Sequence, residues 1–492
     1  MKPFPTSHLP CYTPVATRIR ARFLIFGLAL LGLHGLVCAP ARAVAYGTNL
    51  LANANAEAGP NSPTGAGVAV PNWTTTTGFT VVPYDAPGGT TGYPKTTDPG
   101  PPNRGVQFFG GGNVVTSTAT QDIDVSANAA AINKGAVGYD LSGWLGGYLT
   151  DGDSAKVEVT FSDINGNPLA GIGTIGPVTA AQRGNTTGLL RRAVTGLVPV
   201  NTTRIRVQMI MSRATGASND GYADSLSLLL LAPYTVLNAN DGGPGSLRAA
   251  IAYADANPGT TIRFASNVTG PITLTSGELA ITKNTTVTGP AAGIIVQRGG
   301  AANFRIFNVN SGATVSISNL TMKSGRVVGG VGGTGGGTDA NGGPGSAAQG
   351  GGILNNGILT LRNCTLSGNA ATGGSGGNSF SYDCGDGRGV RWVGTGGTGG
   401  AGQGGGIFNG NRLTLINCTL SGNPATGGIG GGGSGGGSGG IGSGGGVFNQ
   451  GTLTATNCTL SGNSANGGGG NLGDYAALAG AATAAVSSTR AR

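Results

Sequence analysis

Histidine is almost missing from this sequence, and charged and aromatic side chains are scarce. The 492 residues include 2 histidines, 10% charged residues and 5% aromatic residues, against 99 glycines. Both histidines, His8 and His34, precede residue 44. If the chain is cleaved before residue 44, a Ser-His-Asp triad, a histidine-ligated metal and a histidine general base are all excluded, unless a partner supplies the imidazole.

The glycine content excludes several other classes of protein. Glycine is costly in helix interiors and the Glu/Lys-rich surface of long helices is missing, which excludes helical bundles and coiled coils. The glycines keep no strict three-residue period along the chain and there are only 24 prolines, which excludes collagen. The composition and length are typical of a secreted all-β protein with two or three domains.

The N-terminal residues have the pattern of a leader peptide. Three arginines within 18–22 precede an apolar run over 23–38, and the small-residue sequence A-R-A occupies 41–43. This order predicts a secretory signal peptide over residues 1–43. An uncleaved membrane anchor is the alternative, although the run is short for a membrane span. We expect export to the extracellular space or the cell surface, with no membrane span in the mature chain.

Removal of the leader also changes the charge. Five basic residues and no acidic ones are lost, so the formal net charge falls from +9 to +4. A charge this small on the mature chain is poor evidence for nucleic-acid binding, and we expect no nucleic-acid partner.

Residues 44–233 have the pattern of an antiparallel β-sandwich. Residues 156–161 and 204–211 alternate in polarity, as strands buried on one face do, and turn-forming residues separate them. Short strands at such spacing favour a sandwich.

The two ends of this region resemble jelly-roll modules related to galactose-binding and carbohydrate-binding domains. The resemblance rests on N-L-L-x-N-x-x-x-E over 49–57 and on Y-x-D-x-L-S-L over 222–228. In that family a carboxylate near each end can share a structural calcium ion, and Glu57 and Asp224 are the matching positions. Two carboxylates with backbone carbonyls would suit calcium; ordinary surface carboxylates are the alternative.

Aromatic side chains in the sandwich are candidates for sugar stacking. Trp73, Trp144 and Tyr148 have flat faces that suit the CH faces of sugars, whereas packing in the core or at the rim is the alternative.

Residues 234–270 predict a cap for the region that follows. Ser246 precedes a helical pattern that ends before Pro258-Gly259, and residues 260–264 read as a strand. The S-L-R-x-A-I stretch resembles the opening motif of bacterial surface proteins with a right-handed parallel β-helix. Such a cap covers an otherwise open strand edge. Ligand contact is the alternative role for Arg248.

Residues 271–469 contain internal repeats. Residues 350–369, 404–423 and 444–463 share one 20-residue spacing, and residues 306–325 and 278–289 are looser copies. One repeat cannot bury its own apolar face, so stacking is expected. The predicted apolar column contains Val315, Leu359, Leu413 and Leu453. The predicted ladder of amides at the bend contains Asn319, Asn363, Asn417 and Asn457.

The repeats resemble the right-handed parallel β-helix of pectin-lyase-like and autotransporter-like surface proteins, with a β-propeller as the less favoured alternative. The predicted fold is therefore an all-β chain, with an N-terminal antiparallel β-sandwich (jelly roll), a parallel β-helix with glycine-rich loop inserts, and an Ala-rich tail over 470–492. The inserts, at 326–349, 370–403 and 424–443, are expected to leave one corner and to form no core of their own.

The cysteines of the mature chain are predicted to be mostly buried thiols. Cys364, Cys418 and Cys458 take one repeat position, at which an earlier copy has Leu320. One disulfide between neighbouring coils is the alternative, zinc is disfavoured because no C-x-x-C pair exists, and Cys384 lies in an insert.

One insert gathers charged residues, in the stretch 381–392. Its members are Asp383, Asp386, Arg388, Arg391 and Trp392. We take these residues as the candidate catalytic or ligand-binding site. The alternative is that they form a solvated loop tip.

Three functions remain open. The favoured one is a non-catalytic secreted or cell-surface protein that binds extracellular polysaccharide or cell-surface glycans, as in adhesion. The others are a polysaccharide lyase or glycoside hydrolase, and a self-associating structural matrix protein. No cofactor other than calcium is implied.

Overall fold

The computed structural model describes residues 43–87, 92–336, 340–383, 390–471 and 482–483, and they are almost all β structure. Strands between residues 74 and 231 form antiparallel sheets. Strands from residue 235 onward form parallel sheets, apart from one antiparallel hairpin. The predicted all-β class, with antiparallel structure followed by parallel structure, is confirmed.

Two five-stranded antiparallel sheets share one apolar core. Sheet I has the spatial order Thr74–Thr75, Thr116–Asp124, Arg204–Ser212, Ser154–Ser162 and Gly173–Ile175. Sheet II has the order Thr80–Pro83, Gln107–Gly112, Asn219–Leu231, Gly138–Gly147 and Gly188–Leu197. Alternate residues of each sheet, such as Val207 and Leu141, point into the shared core. Short helical segments lie at Ser126–Asn128, Ala129–Ile132 and Ala181–Arg183.

The predicted helix joins the two kinds of sheet. It spans Leu247–Ala256, and the Ser246 hydroxyl accepts a 3.1 Å hydrogen bond from the Ala249 amide, so Ser246 is its N-cap. Arg248 donates to the Asp241 carboxylate at 2.6 Å and to the carbonyl oxygens of Gly277 and Glu278, each at 2.8 Å. These contacts tie the helix to the first parallel strands, so Arg248 has a structural role rather than a place at a ligand.

Three parallel sheets carry the repeats. The chain adds strands to them in a recurring order, and we call each such round a coil. Sheet III contains Thr235–Val236, Thr260–Phe264, Thr285–Thr288, Thr314–Ser318, Ile358–Arg362, Arg412–Ile416 and Thr452–Thr456. Sheet IV contains Ile272–Leu274, Ile294–Arg298, Leu320–Lys323, Thr365–Ser367, Thr419–Ser421 and Thr459–Ser461. Sheet V contains Leu279–Ile281, Phe307–Val309, Ile353–Asn355, Ile407–Asn409 and Val447–Asn449.

The register of sheet III confirms the predicted apolar column. Val315 pairs with Leu359, Leu359 with Leu413, and Leu413 with Leu453. Leu359 and Leu413 are fully buried. Matching side chains of successive repeats therefore form continuous internal rows.

Asparagine side chains link the coils in ladders. The predicted one is confirmed where Asn417 donates to Asn363 and Asn363 to Asn319, each at 3.2 Å. Two further ladders, which the sequence analysis missed, run through the interior; they are Asn355–Asn409–Asn449 and Asn369–Asn423–Asn463. In these two interior rows, the pairing of amides satisfies buried polar groups.

The glycine-rich inserts are packed. Sheet VI (Arg326–Val328, Ala370–Thr372, Pro424–Thr426 and Ser464–Asn466) and sheet VII (Ala348–Gln349, Gly402–Gln403, Gly442–Ser443 and Ala482–Thr483) lie at their bases. Beyond sheet VI, the amides of Gly329, Gly332 and Gly335 each donate at 2.8 Å to the next insert. This three-residue interval is the period of a polyproline II helix.

A second set of hydrogen bonds joins the outgoing and returning arms of the inserts. Gly374 donates to the carbonyl of Ser346 at 2.9 Å, and Gly428 donates to that of Gly400 at 2.8 Å. A Cβ at Gly374 would overlap the carbonyl oxygen of Gly330. The inserts therefore form a layer in which backbone packs against backbone, and this order arises without an apolar core of their own among the described residues.

Candidate functional site

The outer face of sheet I presents a regular polar surface. Thr120, Gln208 and Glu158 lie side by side on neighbouring strands, and the next row contains Asp122, Arg206 and Thr160. The intervening residues of these strands face the core, so every second position is available to solvent. The alternation in the sequence thus builds a flat array of hydroxyl, amide and charged groups.

A groove crosses this face at the end where Asp124, Arg204 and Ser162 lie side by side. It consists of adjoining hollows of about 190 Å³ and 270 Å³, which share Gly166 and Arg204. Its polar lining residues are Asp122, Asp124, Ser126, Thr160, Ser162, Asp163, Asn165, Thr203, Arg204 and Arg206. The lining therefore offers both hydrogen-bond donors and acceptors within a short distance.

The two arginines of the groove differ in their pairing. Arg206 makes a forked contact with Asp122, with nitrogen–oxygen distances of 2.7 and 2.8 Å, which holds the pKa of Asp122 below its usual value. Among the described residues, the Arg204 guanidinium makes no hydrogen bond and no ion pair within 4 Å, although its charge helps to lower the pKa of Asp122 and Asp124. Its guanidinium group is thus available to a ligand.

The outer face of sheet II carries a cluster of aromatic side chains that come from distant parts of the sequence. Phe108 lies 4.9 Å from Tyr84 and 5.2 Å from Tyr222, measured between ring centroids. Trp144 and Tyr148 pack beside this cluster and are half-buried. Antiparallel pairing brings these rings together, which the spacing in the sequence did not reveal.

Trp73 lies elsewhere. It is buried in the core between the two sheets, its ring stands edge-on to Phe109 at 5.9 Å, and its Nε1 donates to the Asn53 carbonyl at 3.2 Å. Packing therefore occupies the Trp73 ring. For Trp144 and Tyr148, sugar stacking stays a prediction.

Glu57 and Asp224 are both held by hydrogen bonds. Glu57 Oε1 accepts from the amides of Val106 and Gln107 at 2.9 and 3.1 Å. The buried Asp224 accepts from the Tyr84 hydroxyl at 2.8 Å and from the Ser225 amide. Burial raises the pKa of Asp224 to about 7; the hydrogen bonds from Tyr84 and Ser225 oppose this shift, and the charge of Glu57 adds to it.

A second acidic cluster was not found by the sequence analysis. Carboxylate oxygens of Asp151, Asp153 and Asp220 lie within 4.8 Å of one another, and Asp153 and Asp220 are buried. Asp153 accepts from the Asp220 amide at 2.8 Å, and Asp220 accepts from the Tyr222 hydroxyl at 2.7 Å. Burial raises the pKa of Asp220, and the charges of Asp153 and Asp151 act in the same direction. The D-G-D sequence at 151–153 is that of a turn, and nothing in the local pattern indicates that Asp220 joins it.

The charged insert contains an antiparallel hairpin formed by Phe380–Asp383 and Val390–Val393. Asp383 pairs with Val390, Arg391 with Tyr382, and Trp392 with Ser381. Asp383 and Arg391 are thus not directly opposite each other in the hairpin. Asp386, Arg388 and Cys384 lie outside the described residues, so the constellation stays a prediction.

The three repeated cysteines are free thiols. Cys364 and Cys418 are buried, and Cys458 is partly exposed. The neighbouring Cys364 side chain lowers the pKa of Cys418, and the same proximity together with burial raises the pKa of Cys364. Buried free thiols were predicted at these positions, and they are confirmed for Cys364 and Cys418.

Comparisons with known proteins find similarity only among solved structures. No protein-family model matches the sequence. No curated protein matches it. In the part of the chain that is described, no helix has the length and apolar character needed to cross a membrane.

Three solved structures are similar to this chain at low identity. The carbohydrate-binding module TmCBM61, in complex with β-1,4-galactotriose, is 16% identical, with 37% of this chain and 98% of that chain covered and a TM-score of 0.22. Arabinose-bound MgGH51 α-L-arabinofuranosidase is 19% identical, with 46% of this chain and 32% of that chain covered and a TM-score of 0.24. The Agl-KA catalytic domain is 12% identical, with 82% and 96% covered and a TM-score of 0.19. Such scores are too low to argue function from these proteins.

Proposed function

We propose that this chain is a non-catalytic secreted or cell-surface protein that binds glycans through the groove on sheet I. The observation that carries the proposal is the unpaired guanidinium group of Arg204 among hydroxyl, amide and carboxylate groups. Sugars present closely spaced hydroxyls that both donate and accept hydrogen bonds. Arginine and carboxylate side chains match such pairs with forked contacts.

The composition also supports a binding role. The groove contains neither histidine nor cysteine among its lining residues, and its one close charge pair is already internally satisfied. A surface of this kind recognises a polar ligand by shape and hydrogen bonding. The three carboxyl groups of the groove, on Asp122, Asp124 and Asp163, have pKa values held below the usual range by hydrogen bonds, so none is suited to donate a proton as the general acid of a glycoside hydrolase does.

The proposed architecture agrees with this role. We take sheets I and II as a jelly roll and sheets III to V as a right-handed parallel β-helix, similar to those of pectin-lyase-like and autotransporter-like surface proteins. In-register stacking of matching residues and the capping helix support that reading. The glycine-rich layer then forms one edge of the β-helix and is a second surface for contact with glycans or with another copy of the chain.

Glu57 and Asp224 would hold a structural calcium ion. These two carboxylates would supply part of the six to eight oxygens that calcium takes, and a bound cation would offset the cost of ionising the buried Asp224 beside the charge of Glu57. Hard carboxylate oxygens are the ligands that calcium prefers. Calcium would order the segment around Glu57 without taking part in any reaction.

Affinity electrophoresis against pectin, alginate and neutral glucans tests the proposal. We expect retention by at least one polysaccharide, and a loss of at least tenfold in affinity for Arg204→Ala. Arg263→Ala, which removes an exposed arginine of sheet III, is the matched control and should bind as the unaltered chain does. Trp144→Ala tests the aromatic face of sheet II. Retention that survives Arg204→Ala but is lost in Trp144→Ala would move the site to sheet II.

The lyase or hydrolase alternative has a separate test. Turnover of the same polysaccharides that is abolished in both Asp383→Ala and Asp386→Ala would replace the binding proposal with an enzymatic one. Strong self-association without any glycan retention would favour the matrix alternative.

A further inference from the structure

The three repeated cysteines form one column along sheet IV. The amide of Thr419 donates to the carbonyl of Cys364, and the amide of Thr459 donates to that of Cys418, each at 2.9 Å. These bonds fix neighbouring coils to each other at the cysteine position. Cys364, Cys418 and Cys458 therefore occupy equivalent places on three successive coils.

The three side chains also share one orientation. Each Sγ lies 3.3 Å from the carbonyl oxygen two residues earlier; the contacts are Cys364 with Arg362, Cys418 with Ile416, and Cys458 with Thr456. Because identical contacts imply identical rotamers, the sulfur atoms repeat with the spacing of the strands. That spacing is about 4.8 Å in a parallel sheet.

This spacing suits a metal bridge better than a disulfide. The sulfur atoms of a disulfide are about 2.05 Å apart, so two in-register cysteines in the same rotamer, with sulfurs about 4.8 Å apart, would have to change rotamer or shift their strands. Two metal–sulfur bonds of about 2.3 Å placed end to end span about 4.6 Å. An ion midway between neighbouring sulfurs would thus fit with little change in the coils.

The surroundings select the kind of ion. The cysteines belong to a core whose neighbouring members, such as Leu361, Leu366 and Leu420, are aliphatic. Zinc takes four ligands and calcium six or more oxygens, and neither set exists in a row of thiols. A soft monovalent ion such as Cu(I) favours thiolate ligands and accepts two of them in line.

We propose that Cys418 forms a two-coordinate thiolate site for Cu(I) with a neighbouring cysteine, Cys364 on one side or Cys458 on the other. Binding replaces the two thiol protons, which leave to solvent, with two metal–sulfur bonds, and the oxidation state of copper does not change. The partial exposure of Cys458 and of Leu460 two residues later gives the ion a path to the column. The packing role needs no sulfur, because Leu320 fills the equivalent place one coil earlier.

Anaerobic titration of the full chain with Cu(I) tests the site. The background variant carries C11S, C38S and C384S, so that only the column supplies thiols, and a colorimetric chelator competes for the ion. We expect one Cu(I) per chain, and one also in C364A and in C458A, because each keeps an adjacent pair. C418A should bind none, since the remaining sulfurs are two coils, or about 9.6 Å, apart.

If an alanine variant is unstable, C418S replaces C418A, and circular dichroism checks that the variant is folded. Folded C418S must also bind no Cu(I). The proposal is overturned if binding falls in proportion to the number of thiols, if C418A retains an equivalent, or if the background variant binds nothing. A mass loss of two hydrogens on mild oxidation, absent in C418A, would identify the column as a disulfide site instead and would also overturn it.

Discussion

The side-chain amide of Asn355 donates a 2.6 Å hydrogen bond to the side-chain oxygen of Asn409, and both residues are fully buried. Asn409 continues the row by donating to Asn449 on the following coil. Asn409 thus both accepts and donates along the coil axis. Polar side chains thus lie inside an otherwise apolar stack because the coils repeat.

Replacing Asn409 with leucine should break this ladder. The change leaves the Asn355 amide with one partner fewer in the interior, and we expect a loss of about 2 kcal/mol in the free energy of unfolding, measured by chemical denaturation. Asn411→Leu is the control, because the exposed Asn411 side chain lies outside the ladder and makes only a 3.5 Å contact, and its loss should stay within about 0.5 kcal/mol. Equal losses at both positions would contradict the role of the buried ladder.

The glycine layer predicts a strong dependence on residue size. Gly374→Ala places a methyl group against the carbonyl of Gly330, and we expect a loss of about 2 kcal/mol from overpacking. Ser375→Ala, at the adjacent partly exposed position, should have little effect. Thermal unfolding of both variants checks this, and an unchanged melting temperature for Gly374→Ala would show that the inserts are not packed as described.

Asp241 should make the capping segment sensitive to acid. Burial tends to raise the pKa of Asp241, but hydrogen bonds from Arg248, Thr275 and Ser276 together hold it well below its usual value. A carboxyl whose pKa is lowered on folding contributes stability that is present above the pKa of the unfolded chain, about 3.9, and is lost as the pH falls below it.

Asp241→Asn should therefore lower stability by about 2 kcal/mol at pH 7, and this difference should shrink as the pH is taken below about 4. Asp122→Asn is the control, because the Asp122–Arg206 pair is solvent-exposed and its effect should be under about 1 kcal/mol. Urea denaturation across this pH range measures both differences. A difference for Asp241→Asn that is constant with pH would contradict the assignment.

Calcium should stabilise the sandwich through Glu57 and Asp224. At a calcium concentration one hundred times its dissociation constant, binding adds about 2.7 kcal/mol, which should appear as a rise in melting temperature over the value in chelator. Glu57→Ala should abolish the rise and Glu158→Ala should retain it. A rise that survives in Glu57→Ala but is lost in Asp153→Asn would place the ion at the Asp151–Asp153–Asp220 cluster and would contradict this site.

The repeats made much of the stack predictable. Equal spacing around Leu359, Leu413 and Leu453 was enough to predict their alignment, because parallel pairing preserves register once coils have one length. The helix after Ser246 was predictable from its cap and its apolar spacing. These are local or periodic features, so they can be read along the chain.

Features that depend on topology were not predictable in this way. Tyr84, Phe108 and Tyr222 meet because distant antiparallel strands pair. Pairing of Asn219–Leu231 with Gly138–Gly147 likewise brings Asp220 to Asp151. The packing of the glycine inserts was not predictable for another reason. Their cohesion comes from backbone hydrogen bonds between arms, and a side-chain pattern does not report those bonds.

A crystal structure of the full chain with a bound oligosaccharide, chosen from the polysaccharide that retains it, tests the central claim most directly. The account predicts sugar hydroxyls within hydrogen-bond distance of Arg204 and of the neighbouring groove residues Thr160 and Ser162. Sugar bound only to the aromatic face around Trp144, or only to the hairpin that contains Asp383, would contradict it.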